Sequence, residues 1–379
     1  MFENCTKLKV VRTLLIICLS LVVLQGFVNI VSYKYMSRFL SGSLSLFSSS
    51  SPKNYSLSVL DRLSDFMLGS TPRPQATNDT LYPSSSYTST TPNMTATVST
   101  NSSLPLCPLV PPSLVGPLAT YTDAPSFEKI AELHRELLPG GRYKPAECVA
   151  RHRIAIIIPY RNREEQLRIL LHNIHPILKR QQLDYGIYVI EQALPTRFNR
   201  AMLMNIGFKE TLKIYDYQCF FFHDVDLIPE NDLNLYTCPD NPRHMSAAID
   251  KFKYNLPYTG IFGGVSALSK EHMEKVNGFS NKYFGWGGED DDMSQRIVQN
   301  GLKIIRYPLT IARYKMIKHG REKTNEVNKS RFALLNSAKK RMKVDGLNSL
   351  KYTVNAIEFR PLYTLINVLI DEKYIMKSR

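Results

Sequence analysis

Between Arg153 and Asp226 three short apolar runs alternate with two longer segments of helical period, and this alternation limits the fold more than any other feature. "RIAIIIP" (Arg153–Pro159) is continuous, β-branched and closed by proline, so it reads as a strand buried on both faces. "REEQLRILLHNIHPIL" follows with helical spacing, "YGIYVIEQA" (Tyr185–Ala193) is a second strand, "RFNRAMLMNIGFKETLKIY" a second helix and "CFFFHDVD" a third strand. Strand–helix–strand–helix–strand predicts a doubly wound α/β domain with a parallel sheet.

Ligands of such sheets sit at the carboxyl ends of the strands. Asp224 and Asp226 fall at that edge, as do Pro159, Arg161 and Arg163. Alternation along a strand would point both aspartates the same way, one toward a hard divalent cation and the other toward a neighbouring hydroxyl. An acidic turn capping the next segment is the plainer reading of the same residues. Arg161, Arg163, Arg200 and Lys251 supply the fork donors and point charges that a diphosphate needs, although any one of them alone is an ordinary surface charge.

"FGWGGEDDDMSQRI" (Phe284–Ile297) carries the sole tryptophan, Trp286, among Gly285, Gly287 and Gly288. These glycines permit unusual backbone angles beside an aromatic platform suited to a sugar. Four acids, Glu289 to Asp292, then open a helix, where negative charge suits the dipole. Crowding also holds at least one of these carboxyls high enough to accept a proton near neutrality. Met316 and His319, three apart, are expected to share a helical face. By residue chemistry alone Met316 reads as core and His319 as surface, because a thioether is a soft donor that hard ions rarely select.

Residues 13–32 are uncharged and long enough to span a bilayer. Lys7, Lys9 and Arg12 before them place residues 1–12 in the cytosol and the bulk of the chain in the secretory lumen; a cleaved signal peptide is the rival. Residues 33–106 are rich in Ser, Thr and Pro and read as a disordered, glycosylated stem, with sequons at Asn54, Asn78, Asn93 and Asn101. A fifth sequon, Asn328, lies in the globular part (107–379). Cys107, Cys148, Cys219 and Cys238 allow three disulfide pairings in an oxidising lumen. The net charge of +15 fits anionic partners, but a nucleic-acid binder is excluded by the anchor and sequons.

From Cys107 to about Tyr363 the chain resembles the β-1,4-galactosyltransferases, type II Golgi membrane enzymes. The resemblance rests on "AIIIPYRNREEQL", "RQQLDYGIYVIEQ", "FNRAMLMNIGF", "DVDLIPENDLNLY", "FGGVSALSKE", "GWGGEDDDMSQR", "MIKH" and "DGLNSLKY". It implies a glycosyltransferase type A domain, a Rossmann-like nucleotide-sugar binder, using Mn2+ held by Asp226, Met316 and His319. It implies Asp290 as the catalytic base, Trp286 as a mobile residue over the donor, and Glu289 and Asp291 as substrate contacts. Pro159, Arg161, Arg163, Phe198, Arg200, Asp224, Val225 and Lys251 are the implied UDP-sugar site, and Arg331, Phe332 and Leu335 the pocket for the acceptor's N-acetyl group. The implied disulfides are Cys107–Cys148 and Cys219–Cys238, and a loop from His319 through about Ser337 is expected to close over the donor.

One departure bears on the donor. Ile261 stands where galactose-specific members carry tyrosine, beside the C2 substituent of the donor sugar. Isoleucine is shorter and lacks the hydroxyl, so an acetamido group fits there. The chain is therefore most similar to the N-acetylgalactosaminyl-transferring subgroup, with UDP-GalNAc the expected donor, UDP-Gal the alternative and a GlcNAc-terminated glycoconjugate the acceptor. An inactive lumenal lectin-like protein is the rival class, and a homodimer the further assembly considered.

Overall fold

The structure, a computed structural model, describes residues 104–318 and 325–377. The expected cytosolic tail, membrane span and most of the stem, with Asn54, Asn78, Asn93 and Asn101, lie outside the described residues, as does His319. Among the described residues no helix is long and apolar enough to cross a membrane.

In chain order the elements are α1 (Phe127–Leu133), β1 (Arg153–Tyr160), α2 (Glu164–Arg180), β2 (Asp184–Gln192), α3 (Arg200–Ile214) and β3 (Cys219–His223). Then come β4 (Leu227–Pro229), β5 (Arg243–His244), β6 (Ala248–Ile249), β7 (Val265–Ser269), α4 (Lys270–Lys275) and α5 (Glu289–Gln299). The last are β8 (Arg313–Met316), α6 (Arg331–Arg341), β9 (Thr353–Phe359), β10 (Thr364–Leu369) and α7 (Glu372–Lys377). Seven strands form the main sheet in the order β5-β7-β3-β1-β2-β10-β9, and β4-β8-β6 form a small second sheet.

The alternating layers were foreseeable from β1. Ile154, Ile156 and Ile158 face one core with Leu167, Leu170, Leu171 and Ile174 of α2, while Ala155 and Ile157 face the other with Met202 to Phe208 of α3. Each fully buried isoleucine contributes about 1.5–3 kcal/mol of transfer free energy. Helices on both faces explain why the strand reads as one unbroken apolar run.

The three strands expected from the apolar runs do pair in parallel, β1 with β2 and β1 with β3, and the other strands extend the sheet in mixed directions. β10 joins them in parallel beside β2; β7 and β9 run antiparallel to these four strands, and β5, paired antiparallel to β7, points the same way as the four. The short Arg360–Tyr363 connection between β9 and β10 leaves no room for a crossover, so those two must pair as a hairpin. Both implied disulfides are formed: Cys107–Cys148 closes the entry segment, and Cys219–Cys238 ties the start of β3 to the chain beyond β4. Asn328, of the sequon expected in the globular part, is 4% exposed, and its Oδ1 accepts from Ser330 N at 2.9 Å.

Candidate active site

A cleft of about 590 Å³ opens at the carboxyl edge of β1 and β3. Apart from His319, every residue expected at the donor, acceptor and metal sites lines it.

The aspartates do not lie on the strand as expected. β3 ends at His223, and Asp224-Val225-Asp226 form the turn into β4, closed by Leu227 N donating to Asp224 O at 3.4 Å. Met316 is likewise not helical: it ends β8, paired opposite Leu227, because the alternation of "RYKM" suits a ladder with β4. The ladder achieves what the expected helix would not. Ile317 N donates to Asp226 O at 2.7 Å, so Asp226 and Met316 stand beside each other and both line the cleft. Asp250 locks the end of β8, its Oδ1 accepting from Met316 N at 2.9 Å. A carboxylate and a thioether side chain thus line the cleft side by side, with His319 three residues further along the chain; this donor set could hold one divalent ion. Among the described residues no group of three His, Cys, Asp or Glu is arranged as a metal site.

Arg200, the first residue of α3, joins three elements. Its Nε donates to Asp224 at 2.6 Å, its Nη1 to Glu289 at 3.5 Å and its Nη2 to the Gly264 carbonyl at 3.2 Å. It thus clamps two carboxylates, and the plain surface-charge reading of Arg200 does not hold. Arg161 is also buried, donating to Thr196 O at 2.7 Å with its guanidinium 5.1 Å from the Phe198 ring. Lys251 stays exposed at the cleft mouth.

Across the cleft, Gly288 at φ +95° starts α5, and its acids follow. A helix N-terminus favours carboxylate by about 0.3–1 kcal/mol, which is less than one pKa unit. Burial outweighs it. Glu289 is pushed up to about 7 by burial and then by Asp290, against the pull of Arg200. Burial and then Asp291 raise the Asp290 carboxyl, and burial pushes Asp224 up to about 6. Asp292, the fourth acid, acts away from the cleft. It is fully buried and bonds Arg296 at 2.6 Å and Arg341 at 3.1 Å, tying α5 to α6. That tie positions Arg331, Phe332 and Leu335 on the cleft side of α6.

Trp286 is 60% exposed, but its backbone is fixed. Its N donates to Glu326 O at 2.8 Å, and its O accepts from Asn328 N at 3.0 Å. A Cβ on Gly285 would lie 2.5 Å from Glu326 O, which is why the two segments can meet only at a glycine. Sequence reasoning assigned no role to Tyr258, whose hydroxyl donates to Asp291 Oδ1 at 2.8 Å, nor to Phe252, which also lines the cleft. An exposed aromatic outside any strand or α-helix carries no periodic signal, so neither stood out.

Models of known families match this framework as far as the end of β8. The N-terminal region of glycosyl transferase group 7 matches residues 107–239, and the N-terminal domain of galactosyltransferase matches residues 243–320. Beta-1,4-galactosyltransferase 1 of Mus musculus is 54% identical over 267 residues, which is 70% of this chain and 67% of the mouse protein. Beta-1,4-galactosyltransferase 3 of Homo sapiens is 52% identical over 265 residues, 69% of this chain and 67% of the human protein. The crystal structure of the catalytic domain of Drosophila beta1,4galactosyltransferase 7 with xylobiose is 30% identical at a TM-score of 0.50, covering 58% of this chain and 94% of that one. A mutant of the Drosophila enzyme in complex with manganese, UDP-Gal and xylobiose aligns equally well.

Fold and site together define a hexosyltransferase with a mixed α/β glycosyltransferase fold. The chain belongs to the β-1,4-galactosyltransferase family.

Proposed function

We propose that this chain is an inverting β-1,4-glycosyltransferase that moves N-acetylgalactosamine from UDP-GalNAc to the 4-hydroxyl of a terminal β-linked GlcNAc. The observation that carries this reading is the opposition, in one cleft, of the Asp226–Met316 pair and the Glu289–Asp290 pair. Asp226, Met316 and His319 would hold Mn2+, which when bound supplies positive charge to the diphosphate of the leaving UDP. Manganese and UDP-Gal in the related Drosophila structure support a Mn2+-dependent reaction with a UDP-sugar donor.

The chain's own groups do the rest. Arg161, Arg163 and Lys251 supply further cationic donors on the donor side of the cleft. Asp290 takes the proton from the acceptor hydroxyl as that oxygen displaces UDP at the anomeric carbon. Its raised carboxyl brings the base closer to the operating pH, which is where general-base catalysis is most effective. Glu289 orients the acceptor, Trp286 covers the donor, and Arg331, Phe332 and Leu335 receive the acceptor's N-acetyl group. Exclusion of water by these residues suppresses hydrolysis of the donor.

Ile261 favours the acetamido-bearing donor. It lines the cleft, its carbonyl is fixed by Arg306 Nη2 at 2.7 Å, and a Cβ on neighbouring Gly260 would meet nothing closer than 3.7 Å. UDP-Gal is the second reading, favoured by the names of the relatives. We place the enzyme in the Golgi membrane as a type II protein, with a tail (1–12), anchor (13–32), stem (33–106) and lumenal catalytic domain (107–379). The test is Mn2+-dependent transfer from each donor to a GlcNAc-terminated acceptor. Higher kcat/KM for UDP-GalNAc supports the first reading, higher kcat/KM for UDP-Gal the second, and transfer from neither overturns both.

A further inference from the structure

Beneath the Asp224–Asp226 turn lies a chain of three side chains that take no part in the proposed reaction. His223 closes β3, Tyr236 follows β4 and Tyr314 lies within β8; all three are 0% exposed. His223 Nδ1 is 2.8 Å from the Asp224 carbonyl oxygen, His223 Nε2 is 3.3 Å from the Tyr236 hydroxyl, and that hydroxyl is 2.9 Å from the hydroxyl of Tyr314. A carbonyl can only accept, so Nδ1 carries a proton. In the neutral ring Nε2 then presents a lone pair, which the Tyr236 O–H fills, and the Tyr236 oxygen accepts from Tyr314. The direction of every bond is set from the Asp224 end.

Each member is anchored independently. Tyr236 stands two residues before Cys238, whose disulfide to Cys219 returns the segment to the start of β3. Its ring packs on Phe221 with centroids 4.8 Å apart and stacks over His223 at 15°. Tyr314 precedes Met316 by two positions and so shares its face of β8. The chain therefore runs from the backbone of the turn that carries Asp226 to the strand that carries Met316. Arg200 holds the same turn from the cleft side through the Asp224 carboxylate.

We infer that the His223–Tyr236–Tyr314 hydrogen-bond chain is a positioning device that sets the separation of Asp226 and Met316 for the cation. The inference rests on the metal-dependent reading above. A weak thioether donor contributes only if the strand bearing it is already placed, and groups behind metal ligands typically govern affinity about 10- to 100-fold.

The test is Mn2+ titration of the full chain with UDP present, followed by electron paramagnetic resonance of free and bound ion. Tyr236→Phe strands His223 Nε2 and the Tyr314 hydroxyl, and is expected to weaken Mn2+ binding about tenfold and broaden the bound-ion signal. Tyr314→Phe removes only the last donor and is expected to cost about threefold. A role confined to folding would lower the unfolding temperature of the metal-free chain and leave Mn2+ affinity and line shape unchanged. Affinities within twofold of the unsubstituted chain in both variants overturn the inference while leaving the functional reading intact. If Tyr236→Phe does not fold, Tyr314→Phe decides on the same readout. Failure of the unsubstituted chain to bind Mn2+ overturns the functional reading and this inference together.

Discussion

Gly263 stands directly against the Asp290 carboxylate: a Cβ on Gly263 would lie 2.5 Å from Asp290 Oδ2. The nearest atoms to that Cβ all belong to the Asp290 side chain. Gly263→Ala should therefore turn the carboxylate aside without disturbing the backbone. Displacing a reacting group by about 1 Å can cost about 100-fold in rate. We expect kcat to fall by about that factor while the unfolding temperature moves by less than about 3 °C. A large loss of stability with unchanged kcat would contradict the contact's role.

The α5 acids give a pH signature. The folded pKa of Glu289, about 7, lies above its ordinary 4.5, so the folded chain binds that proton more tightly than the unfolded chain. The contribution of this group is then fully present at low pH and lost as pH rises from about 4.5 to about 7. Asp224 and Asp290, also raised, contribute with the same sign, while Arg200 opposes all three. The buried His175, His223 and His244, held below the ordinary imidazole value by burial, contribute with the opposite sign. Glu289→Gln should flatten part of this slope and make the metal-free chain more stable at pH 8, by on the order of 2–3 kcal/mol. Urea denaturation at pH 5 to 8 checks it, and an unchanged slope contradicts it.

The Asp292 network should behave as a buried anchor. Asp292 is bonded to Arg296, Arg341 and the Tyr283 hydroxyl, and Asp345 joins the same two arginines. Asp292→Ala leaves the buried Arg296 and the half-buried Arg341 short of a partner and should destabilise by about 3–5 kcal/mol. Because the network holds α6, KM for the acceptor should rise even where the variant remains folded, and acceptor kinetics at low temperature would detect this.

The donor preference turns on Ile261. Ile261→Tyr should shift the ratio of kcat/KM for UDP-GalNAc over UDP-Gal toward UDP-Gal by about 10- to 200-fold, the range over which one apolar pocket change discriminates. An unmoved ratio removes the steric argument.

Much of this was readable from the residues. β1, α2, β2 and α3 were legible because burial on one or two faces writes a period of two or 3.6 into the chain. The DVD turn and β8 were not. Asp224 and Asp226 look strand-like only because they follow Cys219–His223, and Met316 becomes a cleft residue through pairing with Leu227, a partner distant in sequence. Tyr258 escaped notice for the same reason, since its importance comes from Asp291 across the cleft. The antiparallel β7 and β9 depend on connection geometry, which apolar patterning does not encode.

The most direct measurement is single-turnover transfer by Asp290→Asn with donor, Mn2+ and a GlcNAc-terminated acceptor. If Asp290 is the base, UDP-sugar affinity stays within a few-fold of the unsubstituted chain, while the transfer rate falls by about 100- to 10,000-fold. Transfer at the unsubstituted rate would contradict the account.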